Sequence, residues 1–146
     1  MSCPGCTAVD RRTFLEATLA ALGVSGLAGC ASAAFTTPVV TAFTVNVADF
    51  PALATTGGIA VVDNGSRSGE PIAVARTGAS TFVALSLVCP HRGVTVSVVN
   101  NNSSFYCTGH GATFAASGAW TGGQSTSSLG TYALTYDAVA GTLQIS

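Results

Sequence analysis

The sequence contains no lysine, and its five basic residues are all arginines. Only 8% of the 146 residues are charged, and the formal net charge is −1. A protein that binds nucleic acid neutralises phosphates with a basic face, which this composition excludes. Hydrophobic residues make up 48% of the chain, whereas a disordered chain has few of them. The composition therefore predicts one globular domain without a nucleic-acid partner.

Familiar catalytic patterns are missing as well. We find no catalytic triad, no phosphate-binding loop, and no histidine/carboxylate set of the kind that holds a mononuclear iron. We therefore predict no catalytic residue and expect that the chain is not an enzyme by itself.

The first 35 residues are typical of an export leader, and we expect the folded domain to cover residues 36–146. Asp10-Arg11-Arg12-Thr13-Phe14-Leu15 resembles a twin-arginine export motif, and an apolar run rich in alanine, glycine and leucine follows it. Leu27-Ala28-Gly29-Cys30 matches a bacterial lipoprotein cleavage box. This match predicts a lipid on Cys30, which would anchor the protein on the periplasmic or cell-surface side of the cytoplasmic membrane.

Two other outcomes remain open for the leader. Ala31-Ser32-Ala33 is compatible with ordinary signal cleavage, which would leave a soluble protein. Residues 17–35 approach the length of a bilayer span, so the segment could instead be retained as a membrane anchor.

Two short fragments contain both histidines of the chain and two of its five cysteines: Cys89-Pro90-His91 and Cys107-Thr108-Gly109-His110. The other three cysteines lie in the predicted leader. Two thiolates and two imidazoles are the ligands of a mixed-ligand 2Fe–2S cluster, in which the thiolates hold one iron and the imidazoles the other. The sequence therefore predicts such a cluster, with these two cysteines and two histidines as its metal ligands.

Two alternatives use the same residues. Cys89 and Cys107 could form a disulfide in an oxidising compartment, or all four side chains could hold a zinc ion. Either alternative would make the chain an exported binding domain that is stabilised by zinc or by a disulfide.

Together with the residues that follow them, Arg92-Gly93 and Gly111, the two fragments resemble the cluster loops of Rieske iron–sulfur proteins. The resemblance is sharp over residues 89–111 and looser over residues 42–146. It implies that the two cysteines bind a buried iron and that the two histidines bind an outer iron near the surface. The glycines would let the loop backbone approach the cluster, because they lack a Cβ atom.

Four positions depart from the pattern of respiratory Rieske proteins. Val94 and Gly109 stand where those relatives carry two further cysteines joined as a disulfide, and Ala112 and Phe114 stand where they carry a serine and a tyrosine. Such hydroxyls donate hydrogen bonds that stabilise the reduced cluster and raise its potential. We therefore expect a potential in the lower half of the class range of about −150 to +300 mV, below about +150 mV.

Beyond residue 40 the sequence predicts an all-β fold of stacked antiparallel sheets, similar to the Rieske sandwich. Short runs rich in β-branched residues alternate with turn signals, and Gly78-Ala79-Ser80 and Ala140-Gly141 each predict a hairpin. The resemblance implies a small cluster-binding subdomain over about residues 86–125.

The predicted function is that of an electron-transfer protein outside the cytoplasmic membrane. It would pass electrons between a membrane or periplasmic donor and a cytochrome or oxidoreductase. The alternative is the Rieske subunit of an oxidoreductase complex, similar either to a quinol–cytochrome c reductase, with quinol as substrate, or to arsenite oxidase.

Overall fold

The computed structural model of the protein describes residues 41–146. The predicted leader, with its arginine pair and Cys30, lies outside these residues. Among the described residues, none of the helical segments has the length and hydrophobicity of a membrane span.

The described residues form eleven short strands and two 3₁₀ turns, so the prediction of an all-β fold is confirmed. The strands are β1 (Phe43–Asn46), β2 (Ile59–Asn64), β3 (Pro71–Arg76), β4 (Phe82–Ser86), β5 (Ser97–Val99), β6 (Ser104–Tyr106), β7 (Thr113–Ala115), β8 (Trp120–Gly122), β9 (Thr131–Tyr132), β10 (Leu134–Asp137) and β11 (Thr142–Ile145). The 3₁₀ turns are Val47–Asp49 and Pro51–Ala54, and the Asn46 side chain caps the former by accepting a hydrogen bond from the Ala48 amide.

All strand pairs are antiparallel, and they make three sheets. The first sheet has the order β1-β11-β10, the second β2-β3-β4-β9, and the third β5-β6-β7-β8. The two predicted hairpins are confirmed, since β3 pairs with β4 and β10 pairs with β11.

The strand β3 of the second sheet is buried on both faces. Along β3, Ile72 and Val74 pack into a core with the first sheet, whereas Ala73 and Ala75 pack into a core with the third sheet. Alternate residues of a strand point to opposite faces, so a strand between two cores must be apolar throughout. This explains why Ile72–Ala75 form an unbroken buried run.

The third sheet positions the candidate ligands at one end. Cys89 follows β4 in a loop whose base is closed by a bridge between Val88 and Thr95, and Cys107 follows β6 directly. Both cysteines belong to the core between the second and third sheets. The loops that carry them are therefore rooted in packed structure.

A turn of three asparagines joins β5 to β6 at the other end of the third sheet. Asn100, Asn101 and Asn102 all have positive φ angles, of 54°, 54° and 62°. Asparagine adopts this left-handed conformation more readily than other residues with a side chain. The Asn102 carbonyl accepts a hydrogen bond of 2.8 Å from the Ile59 amide, so the turn ties the third sheet to the second.

We predict that Asn101→Ala lowers the free energy of unfolding by about 1 kcal/mol, because alanine meets the left-handed penalty that asparagine partly avoids. Asn101→Gly should leave it unchanged or raise it slightly, since glycine adopts positive φ freely. The measurement is the midpoint of urea unfolding followed by circular dichroism. An equal loss in both variants would contradict the conformational explanation.

Candidate metal centre

The first of the two ligand loops is a tight turn that starts at Cys89. The Cys89 amide donates to the Val94 carbonyl at 2.9 Å, and the Gly93 amide donates back to the Cys89 carbonyl at 2.8 Å. Gly93 has a φ of 72°, a conformation that favours glycine. The turn therefore needs a glycine four residues after its cysteine.

The second loop repeats this turn. The Cys107 amide donates to the Ala112 carbonyl at 2.8 Å, the Gly111 amide donates to the Cys107 carbonyl at 2.9 Å, and Gly111 has a φ of 76°. The histidine is the second residue after the cysteine in the first loop and the third in the second loop. The two loops therefore share one turn conformation, and each of them carries one thiol and one imidazole.

The two cysteines meet in the interior. Cys89 and Cys107 are each 1% exposed, both are free, and their thiol groups are hydrogen-bonded to each other. The disulfide alternative is therefore not what the structure contains. Two adjacent sulfur atoms with no water around them are a suitable pair of ligands for one metal ion.

The two thiols differ in pKa, because burial, the backbone amides around them and the neighbouring thiol act on each of them to a different extent. Burial raises the pKa of Cys89, the His91 and Arg92 amides lower it, and the adjacent Cys107 raises it, which leaves it above the usual range. Burial also acts to raise the pKa of Cys107, but the hydrogen bond from Cys89 and those from the amides of Gly109 and His110 leave it lower than usual. A single negative charge on the pair is therefore favoured over two, because a second thiolate would lie beside the first.

The two histidines meet nearer the surface. His91 is half-buried, His110 is exposed, and their Nδ1 atoms lie 3.2 Å apart with the rings nearly perpendicular, at 84°. Two nitrogens bound at about 2.0–2.1 Å to a tetrahedral ion are separated by about 3.3 to 3.4 Å. The Nδ1 atoms are thus placed to bind one metal ion together.

The four side chains form two pairs and not one group of four. Within residues 41–146, no three histidine, cysteine or carboxylate side chains come together as a preformed site for a single ion. A structural zinc site requires four protein ligands around one ion, whereas a mixed-ligand 2Fe–2S cluster requires two for each iron. The arrangement fits the cluster better than zinc.

A third loop, after β8, packs on the second ligand loop. Gly123 has a φ of 73°, and a Cβ atom there would lie 1.8 Å from the Gly111 carbonyl oxygen and 3.2 Å from the Ala112 Cα. The Trp120 indole nitrogen donates to the Gln124 carbonyl at 3.0 Å and closes this loop. Only the packing of these two loops reveals why position 123 must be glycine.

The positions that depart from the respiratory pattern lie around the cysteines. A Cβ atom built on Gly109 lies 3.5 Å from the Val94 Cβ, which is within the range found in disulfides. Ala112 and Phe114 are fully buried in the core that contains both cysteines. The serine and tyrosine hydroxyls of the respiratory relatives therefore have no counterpart at these two positions. The backbone amides around the thiols are hydrogen-bond donors that the sequence did not reveal.

We predict that the double variant Val94→Cys/Gly109→Cys forms a disulfide between the two ligand loops under oxidising conditions. Cross-linking a loop of about 15 residues restricts the unfolded chain by up to about 3 kcal/mol, so the thermal midpoint should rise. Thiol titration and intact mass check the bond, and each single variant is a control. Two reactive thiols in a folded double variant would contradict the proximity.

With this geometry established, we compared the chain with known proteins. The family model of the Rieske [2Fe-2S] domain matches residues 53–133, which is more than half of the chain. Comparison with curated proteins found no match.

Solved structures show the same similarity. The soluble domain of the Rieske protein II (soxF) from Sulfolobus acidocaldarius is 16% identical, with a TM-score of 0.53 over 72% of this chain and 76% of that one. The plasma membrane Rieske protein PetC3 from the cyanobacterium Synechocystis PCC 6803 is 29% identical, with a TM-score of 0.47 over 53% and 78% of the two chains. The quaternary ammonium Rieske monooxygenase CntA is 23% identical, with a TM-score of 0.50, and the match covers 64% of this chain but 28% of the monooxygenase. The likeness to soxF supports the fold.

Proposed function

The chain belongs to the Rieske [2Fe-2S] domain family, and from this premise we propose that it is a one-electron carrier that works outside the cytoplasmic membrane. Its cofactor is a 2Fe–2S cluster, which accepts and returns a single electron. The single observation that carries the proposal is the separation of the candidate ligands into a buried sulfur pair and a more exposed nitrogen pair.

We assign Cys89 and Cys107 to the inner iron and His91 and His110 to the outer iron. The assignment is supported by the hydrogen-bonded, 1% exposed thiols and by the Nδ1 atoms at 3.2 Å. Binding through Nδ1 leaves the Nε2 atom of each histidine as the outer nitrogen of its ring. Electrons would then enter and leave at the histidine end, where the protein offers the shortest path to solvent.

The surroundings of the ligands limit what the chain can do alone. The core that contains the cysteines is shielded from water. The other side chains of that core are hydrocarbon, as in Ala112 and Phe114. A carrier needs this insulation, whereas an oxygenase needs a second metal centre in a further domain.

The leader supports the proposed location. The twin-arginine motif is typical of proteins exported already folded, which suits a cofactor inserted before export. We therefore propose a lipid anchor on Cys30, an outer face of the cytoplasmic membrane, and a cytochrome or oxidoreductase as partner. A subunit of a quinol-oxidising complex is less favoured, because Val94 and Gly109 cannot form the disulfide of respiratory relatives.

Reduction of the purified protein by dithionite should give the electron paramagnetic resonance spectrum of a mixed-ligand 2Fe–2S cluster, with two irons and two sulfides per chain. His110→Ala should lose this spectrum, because it removes one of the four ligands. Thr108→Val, an exposed position of the same loop, is the matched control and should retain it. Stoichiometric zinc in place of iron would overturn the proposed function.

The midpoint potential should lie below about +150 mV, because the core around the cysteines has no hydroxyl donor. Ala112→Ser should raise it by on the order of 60 mV, which is a tenfold change in a one-electron equilibrium. Ala119→Ser, at an exposed turn, is the control and should not move it. Protein-film voltammetry provides the measurement, and a wild-type midpoint near the top of the class range would refute the argument.

A further inference from the structure

We propose that Glu70 is a positioning residue for the metal centre. Its carboxylate acts through the Ser86 hydroxyl on the amide of Val88, and thereby holds the base of the first ligand loop in place. The inference rests on the proposed function, because it requires that Cys89 in this loop is a ligand of the cluster. Glu70 itself does not belong to the proposed ligand set.

The base of the first ligand loop is the short segment between β4 and Cys89. The Leu87 amide donates to the Pro71 carbonyl at 2.8 Å, and the Val88 amide donates to the Ser86 hydroxyl at 3.1 Å. The first bond extends the pairing of β3 with β4 by one residue, whereas the second is made by a side chain. The position of the backbone just before Cys89 therefore depends on what holds the Ser86 hydroxyl.

The Ser86 side chain lies on the opposite side of the second sheet from the cysteines. Phe82 and Ala84, which alternate with it along β4, pack into the core with the first sheet, and alternate residues of a strand share a face. Ser86 is 7% exposed. A buried hydroxyl is stable when it is hydrogen-bonded, and this one accepts from the Val88 amide and donates to the Glu70 carboxylate.

The Glu70 carboxylate accepts two hydroxyl donors at one oxygen atom. The Ser86 hydroxyl lies 3.3 Å and the Tyr132 hydroxyl 3.0 Å from Oε2 of Glu70. Burial raises the pKa of Tyr132, and the hydrogen bond to Glu70 and the charge of Glu70 raise it further. The tyrosine hydroxyl therefore stays protonated and remains a donor. Three segments meet at this carboxylate: the loop before β3, the end of β4, and β9.

The negative charge of Glu70 strengthens the hydrogen bond at the base of the loop. Hydrogen bonds to a charged acceptor are stronger than those between neutral groups. Hydrogen bonds in a chain also polarise one another, so a hydroxyl that donates to an anion becomes a better acceptor. The bond from the Val88 amide to the Ser86 hydroxyl is thus stronger with Glu70 ionised than with a neutral residue there. Glutamine has nearly the same shape without the charge, so Glu70→Gln isolates this effect.

The other carboxylates of residues 41–146 are placed differently. Asp63 accepts hydrogen bonds from amides of its own loop, and Asp137 accepts from amides of the last hairpin. Asp49 is exposed on a 3₁₀ turn. Glu70 differs because both of its hydroxyl donors lie on strands distant from it in sequence. It can therefore transmit an effect from one strand to the loop that follows another.

The experiment measures how fast the holoprotein loses its cluster. The purified protein is mixed with excess EDTA, and the decay of the visible absorbance of the cluster is followed. Glu70→Gln and Ser86→Ala should each speed this decay about fivefold, the effect of losing about one net hydrogen bond. The double variant should lose its cluster no faster than Ser86→Ala alone, because both changes act on the same bond.

Tyr132→Phe is the matched control for the rate of cluster loss. It removes the other donor of the same carboxylate and leaves Ser86 in place, so the cluster should be lost at the wild-type rate. Glu70→Gln and Tyr132→Phe decide the question by themselves if Ser86→Ala does not fold.

The midpoint potential is a second measurement, and a loss of packing alone would not produce the expected pattern. Glu70→Gln removes a negative charge on the side of the first ligand loop, which should favour the reduced cluster about threefold, a rise on the order of 30 mV. Asp49→Asn removes an equal charge at an exposed position and should leave the potential unchanged.

An unchanged rate of cluster loss in Glu70→Gln, or an equal acceleration by Tyr132→Phe, would overturn the role of Glu70. A double variant faster than Ser86→Ala would overturn the route through Ser86, and equal potentials in Glu70→Gln and Asp49→Asn would overturn the effect of the charge. None of these results would affect the proposed function, since the cluster would still be bound. A wild-type protein without a 2Fe–2S cluster would instead overturn the proposed function, and this inference with it.

Discussion

The rest of the structure depends on the burial of two cysteines at the edge of a hydrophobic core. Cys89 and Cys107 lie between the second and third sheets, where a thiolate without a partner would be strongly destabilised. Amides of the two loops point at the sulfur atoms and stabilise negative charge there. The repeated turn that ends in Gly93 and Gly111 holds these amides in place. The fold thus holds two sulfur atoms together away from water, with amide donors that stabilise negative charge on them.

The outer half of the site, which the two histidines form, lies nearer the surface than the cysteines. His91 and His110 need no deep burial, because neutral imidazoles are stable in contact with water. Their Nδ1 atoms face each other at 3.2 Å, and they lie on the loops that the cysteines anchor. One end of the site is therefore insulated and the other is accessible, which is the polarity that a carrier needs in order to exchange an electron at a defined surface.

Local sequence patterns predicted both the sheets and the candidate ligands; the structure confirms the sheets, and the ligand assignment remains a prediction. The hairpin at Gly78-Ala79-Ser80 and the paired cysteine–histidine fragments are examples. No hairpin was predicted at β7 and β8, since strands of three residues show little alternation. The contact of Gly123 with the second ligand loop was also missed, because it depends on two segments distant in sequence. The amides around the thiols belong to the same class, since hydrogen bonds to sulfur leave no mark on residue type.

The central claim is that the two iron positions differ, with two sulfur ligands from the protein at one and two nitrogen ligands at the other. Mössbauer spectroscopy of the oxidised protein enriched in ⁵⁷Fe tests this claim most directly. The account predicts two ferric components of equal area with different isomer shifts, because sulfur and nitrogen ligands donate different electron density to iron. A single component would show two equivalent irons and would contradict the account.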